Sequence, residues 1–144
     1  MAEGARLGVL LLSGAFERVH YALCVASAAA ALERPVTLFV SLSALRALVA
    51  EDGQGRPGWM GLPASGDVAG AADGGALDAS YRARGVAGFE ELLEACRGLD
   101  VEFMVCETGM RALGLAPGAL RADLELQPGG LATLLARGGQ IVVL

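Results

Sequence analysis

The chain reads as an α/β protein: a three-layer α/β/α domain on a five-stranded, mainly parallel sheet. Three observations predict it. Short continuous apolar runs recur, each long enough for one buried strand. Helix-patterned stretches separate them, as parallel connections require. The chain is 54% hydrophobic with mean hydropathy +0.52, which suits a sheet covered on both faces, with further burial between subunits.

The first run, Leu7 to Leu12, is broken by Ser13-Gly14. An alanine-rich helix is predicted from about Glu17 to Leu32, alanine being the strongest helix former. Glu33-Arg34-Pro35 stops it, because proline drives its predecessor out of helical geometry. Val36 to Val40 is the second strand, and Ser41 or Ser43 suits the cap of a helix over about Ala44–Ala50. The stretch 51–86 then carries Asp52-Gly53, Pro57-Gly58, Ser65-Gly66 and Asp73-Gly74-Gly75. It reads as a long Gly-rich loop within a single domain spanning 1–144. A surface insertion and a lid over the site are its two readings.

Regular structure resumes with Phe89, Leu92, Leu93 and Cys96, whose spacing marks an amphipathic helix that Gly98 ends. Val101 to Val105 is the third strand. A helix follows to Leu113, and Gly114 to Gly118 forms a turn. Asp123 to Leu126 is the predicted fourth strand. A helix from Pro128-Gly129-Gly130 through Ala136 leads to a last strand at Ile141–Leu144.

Composition removes several function classes. The formal charge is −5, and the 11 basic residues are arginines scattered along the chain. Nucleic-acid binding needs a concentrated basic face. The longest apolar stretch, Tyr21 to Leu32, falls short of the roughly 20 residues of a membrane span. The start carries an acid and no secretion-signal pattern. Three cysteines make an odd, sparse count that fits a reducing compartment, so a cytoplasmic location is expected. A single histidine and dispersed cysteines offer no metal-ligand spacing. Gly-x-Gly-x-x-Gly, Walker and Gly-x-Ser-x-Gly patterns are absent. No metal or cofactor is called for.

The chemistry centres on Cys106. It stands where the third strand turns directly into a helix, among backbone N–H groups that lack intrahelical partners. That setting favours thiolate, the nucleophilic form; the other reading is a small buried side chain filling the core. Ligands of parallel sheets bind beyond the carboxyl ends of the strands. That rim supplies the remaining candidates: Ser13, Gly14 and Phe16 after the first strand, His20 on the first helix, Ser41 after the second strand, and Glu107 and Thr108 beside the cysteine. Five strand residues place Cys96 roughly 16 Å from Cys106, too far for a disulfide. Cys24 and Cys96 read as packing residues.

Several of these segments resemble a known family. Arg6 to Gly14, the helix containing Ala28-Ala29-Ala30, and Val36-Thr37-Leu38-Phe39 are similar to the opening of DsrE-like proteins. So are Val101 to Met110 with Leu113-Gly114-Leu115, and the tail from Gly129-Gly130-Leu131-Ala132 to Ile141–Leu144. The likeness is to the DsrE-like branch often labelled peroxiredoxin-like, and it spans nearly the whole chain outside 51–86. It implies a DsrEFH-like fold and a homo-oligomer, trimer or hexamer. It also implies sulfur relay, with Cys106 carrying a persulfide between donor and acceptor proteins of the TusA-like or rhodanese-like kind. Some relatives carry a second cysteine where 51–86 has none, and a lysine where this chain has Arg18 and His20. The alternative is a non-enzymatic, oligomeric module that binds a small ligand or protein. A thiol peroxidase is a third reading; it needs a resolving thiol that the spacing does not supply near Cys106.

Overall fold

The computed structural model describes residues 5–65 and 73–144. Five strands form one sheet: β1 (Leu7–Leu11), β2 (Val36–Val40), β3 (Glu102–Cys106), β4 (Leu126–Gly129) and β5 (Gln140–Val143), in the order β4-β3-β2-β1-β5. All four pairings are parallel. The expected five-stranded α/β architecture is therefore present.

Side chains alternate across a pleated sheet, and the two faces differ. Val9, Leu11, Leu38, Val40, Phe103 and Val105 point into the larger core. There they meet α1 (Phe16–Ala31) and α3 (Phe89–Gly98), which also pack on each other. In α1 the buried positions Phe16, Val19, His20, Leu23 and Ala26 follow the helical period, and its alanines let α1 lie close to the sheet. Leu10, Phe39, Met104, Cys106 and Ile141 point the other way and form a smaller cluster with Leu134 of α5 (Leu131–Ala136). A six-residue helix shades only part of that face. Arg137, just past its end, reaches back over the sheet to Glu102 and to Thr37 Oγ1 at 3.2 Å.

Three elements differ from the sequence reading. Residues 51–86 are not one loop: they contain a 3-10 turn at Gly58–Gly61 and helix α2 (Gly74–Ala83). Asp73 caps α2 by accepting the Ala76 N–H at 3.0 Å. Asp73-Gly74-Gly75 looks like a turn in sequence, but Gly74 is there because a Cβ would strike Phe16 and the Trp59 carbonyl. Trp59 is 2% exposed and stacks on Phe89 at 4.7 Å. The described part of 51–86 thus packs on the α1/α3 face, and not over the Cys106 face as a lid would. The expected helix Ala44–Ala50 is a 3-10 turn at Leu42–Leu48, with no side-chain cap from Ser41. The fourth strand lies three residues later than expected, at Leu126–Gly129. Pro128 is tolerated because β4 is an edge strand.

Candidate active site at the end of β3

Cys106 is both the last residue of β3 and the N-cap of α4 (Glu107–Leu113). No linker intervenes, so the strand's alternation fixes where the sulfur goes: the α5 side of the sheet. Its Sγ accepts the Gly109 backbone N–H at 3.4 Å. Serine, threonine, asparagine and aspartate are the usual cap residues; here a thiol occupies the position.

The neighbours explain why the turn is shaped this way. A Cβ on Gly109 would lie 2.5 Å from Ser41 Oγ and 2.8 Å from the Leu42 backbone nitrogen. Glycine therefore lets the turn after β2 close against the first turn of α4. On the other side Gly129 of β4 is in register with Cys106, and a Cβ there would lie 2.7 Å from the Met104 sulfur. Leu42 adopts φ 51, a left-handed conformation that costs a non-glycine residue roughly 1–2 kcal/mol, yet its side chain is 43% exposed. Backbone strain without compensating burial marks the 41–42 turn as a rim feature held by its surroundings. Cys106 itself is 7% exposed, while Glu107 and Thr108 stand open at the mouth.

The predicted site residues divide into three groups. Ser41, Glu107 and Thr108 lie nearest the Cys106 junction: Glu107 and Thr108 follow it directly in the chain, and Ser41 Oγ abuts Gly109, the residue whose N–H reaches the sulfur. Ser13 and Gly14 lie on the same rim, one step removed. Ser13 Oγ accepts the Ala15 N–H at 3.2 Å, and Gly14 abuts Ser43, where a Cβ would come within 2.9 Å. Phe16 and His20 do not join them. Both are on α1 and belong to an aromatic nest with Tyr81, Trp59 and Phe89, across the sheet from the sulfur. The sequence places them at the correct end of the sheet but cannot say which face α1 covers. His20 Nε2 lies 2.8 Å from the Ala87 carbonyl.

Cys96 is fully buried, and burial pushes its thiol up to about 12. It sits 3.7 Å from the Leu23 carbonyl, a packing position. All three cysteines are free. Among the described residues no group of three histidine, cysteine, aspartate or glutamate side chains is arranged to hold a metal. No described helix is long and apolar enough to cross a membrane.

Sequence reasoning missed a cleft. Beyond α4, on the face opposite the Cys106 sulfur, an open space of about 700 Å³ is lined by Val105, Met110, Leu115, Leu120, Leu124 and Leu126, with Glu107 and Arg111 also on its wall. Its walls come from strand, helix and irregular segments, so no periodic signal announces it. Arg121 shapes one side. Glu90 accepts from its two terminal nitrogens at 2.9 and 2.7 Å and from Trp59 Nε1 at 2.8 Å.

No family model matches the chain, and no curated protein matches it in sequence. Solved structures do match in shape. The YchN protein from E. coli superposes with TM-score 0.59 at 16% identity, covering 98% of this chain and 99% of that one. MTH1491 from Methanobacterium thermoautotrophicum, described as a protein of unknown function, gives TM-score 0.57 at 13% identity over 97% and 99%. Both have the DsrE-like fold. The likeness over the full length is one of fold, and this chain shares that fold.

Proposed function

We propose that the chain is a sulfur carrier in which Cys106 accepts a sulfane sulfur and hands it to a partner thiol. The observation that carries this reading is the Gly109 N–H directed at Cys106 Sγ at the strand–helix junction. In the loading step the Cys106 thiolate attacks the terminal sulfur of a donor persulfide. A new S–S bond forms, the donor's S–S bond breaks, and the donor leaves as its thiol after taking one proton. In the unloading step a partner thiolate attacks the terminal sulfur and Cys106 is regenerated. The chain undergoes no net oxidation. The Gly109 N–H gives the reacting sulfur a backbone hydrogen-bond partner in both steps.

The thiol is mostly covered, so a partner reaches it by displacing the rim formed by Leu42, Glu107 and Thr108. The donor and acceptor are proteins of the rhodanese-like and TusA-like kind, the working assembly is a homo-oligomer, trimer or hexamer, and the compartment is the cytoplasm. The resemblance and the shared fold support these finer points. The test is incubation with a sulfane-sulfur donor followed by intact-mass analysis and peptide mapping. One added sulfur should appear on Cys106 and vanish from that peptide in Cys106→Ser. Wild-type protein that stays unloaded, under conditions where an established carrier loads, refutes the reading.

The apolar cleft beyond α4 favours a second reading, a binding module for a small apolar ligand or partner segment. That reading predicts full binding by Cys106→Ala, which the carrier reading does not require.

A further inference from the structure

The carrier reading leaves one reactive arrangement unused. Cys24 and His20 stand one turn apart on α1, with Cys24 Sγ 3.8 Å from His20 Nδ1. The ring's other nitrogen, Nε2, is 2.8 Å from the Ala87 carbonyl. A carbonyl oxygen only accepts, so in the neutral ring Nε2 carries the hydrogen and Nδ1 presents a bare lone pair. His20 is 5% exposed, and among the described residues the Cys24 thiol is the hydrogen-bonding neighbour of Nδ1. A thiol, a base and a group that orients the base form the arrangement that activates a nucleophile.

Access points to the same residue. Cys96 is fully buried and Cys106 is 7% exposed, whereas Cys24 is only half-buried. Burial pushes the Cys24 thiol up, so at neutral pH it rests protonated and needs a proton acceptor to react. Among the described residues, the other titratable groups that stand near the pair are these. Tyr81 of α2 meets the His20 ring edge-on at 5.0 Å. Glu17, one turn earlier on α1, is engaged by the backbone and hydroxyl of Ser65. Cys96 of α3 lies behind, against the Leu23 carbonyl. None is a cation that would compete with the imidazole as it gains a proton.

We propose that Cys24 and His20 form a second, separate thiol site, the first in this chain to exchange with small disulfides. Cys24 Sγ attacks one sulfur of the disulfide as its proton passes to His20 Nδ1. The mixed S–S bond forms, the original S–S bond breaks, and the leaving thiolate takes a proton from the imidazolium or from water. The sheet lies between this site and Cys106, so the proposal does not depend on sulfur relay.

The test uses an irreversible probe, so that the label cannot migrate. Native full-length protein is treated with less than one equivalent of iodoacetamide, quenched in acid and mapped by peptide mass. Cys24 should be labelled before Cys106 and Cys96. His20→Gln, with its fold checked by thermal melting, should slow Cys24 labelling by about a hundredfold, the low end of what a positioned base contributes. The slower labelling of Cys106 should not change. First labelling at Cys106 overturns the proposal. So does a Cys24 labelling rate that is unchanged in folded His20→Gln. Loading of Cys106 with sulfur is measured separately, so failure of either idea leaves the other standing.

Discussion

Replacing Gly109 with alanine should destabilise the protein even though alanine is the better helix former. The added methyl would sit 2.5 Å from Ser41 Oγ, 2.8 Å from the Leu42 nitrogen and 3.3 Å from a Leu45 methyl. The serine hydroxyl can rotate away, but the Leu42 nitrogen is backbone and already lies in a left-handed turn. Relief requires the 41–42 turn and α4 to separate by several tenths of an ångström. Overpacking of this kind costs roughly 1–3 kcal/mol, and the helix-propensity gain is at most about 1 kcal/mol. The net expectation is a loss of about 1–2 kcal/mol in urea unfolding, together with slower sulfur loading at Cys106 as the Gly109 N–H shifts. Gly98, at the end of α3, is the internal control: a Cβ there meets nothing within 4 Å. Gly98→Ala should therefore stabilise by about 0.5–1 kcal/mol. If Gly109→Ala is as stable as the parent, the close approach that shapes the thiol turn is not real, and the account of the site fails with it.

Other predictions test separate parts of the molecule. Cys106→Ser should abolish sulfur loading while changing unfolding stability by no more than about 1 kcal/mol, since the smaller hydroxyl still accepts the Gly109 N–H; loss of fold would show the thiol to be structural. Leu42→Gly should raise stability by about 0.5 kcal/mol or more, because relief of the left-handed strain outweighs glycine's extra unfolded freedom; a drop on thermal melting would contradict that. Hydrogen bonds from Arg121 hold the Glu90 carboxyl below its usual range, against the effect of burial. A carboxyl lowered on folding adds stability above its unfolded value, about 4.3, and loses it as pH falls through the folded value. Acid unfolding of Arg121→Met should accordingly show a shallower pH dependence below about pH 4.3 than the parent, and an unchanged slope would count against the pair. Arg137→Ala, by releasing the tie to Glu102 and Thr37, should speed hydrogen exchange in α5 and alkylation of Cys106 beneath it. Unchanged rates would mean that Leu134 alone seats the helix.

Strand runs were the most legible part of the sequence. Leu7 to Leu12, Val36 to Val40 and Val101 to Val105 are apolar apart from Thr37 and Glu102, because most of their side chains are buried, and each occurs within a residue or so of its expected place. The edge was harder to read. β4 contains Gln127 and Pro128 and is largely exposed, so it lacks the apolar signature, and Asp123–Leu126 looked better. Asp123 instead binds Arg121 at 2.8 Å. Residues 51–86 misled because capping and close-packing glycines look like flexible ones; only Trp59, a large side chain that seeks burial, hinted at a fixed structure. At the site, the strand–cysteine–helix junction was readable from adjacent residues. The distance of His20 and Phe16 from it was not, because sequence places a helix beside a sheet without saying above or below. The approach of Gly109 to Ser41 and the cleft beyond α4 depend on segments far apart in the chain, and local pattern carries no trace of them.

The direct handover from β3 to α4 has a consequence for how this protein can vary. Because alternate residues of a strand project to opposite sides, losing or gaining one residue in β3 would swing the sulfur through the sheet into the company of Phe16 and Val105. Length in this segment is therefore quantised in steps of two, whereas composition is free to drift among apolar types. A lineage could exchange almost every side chain from Val101 to Val105 and keep its thiol in place, yet a single indel would move it out of reach.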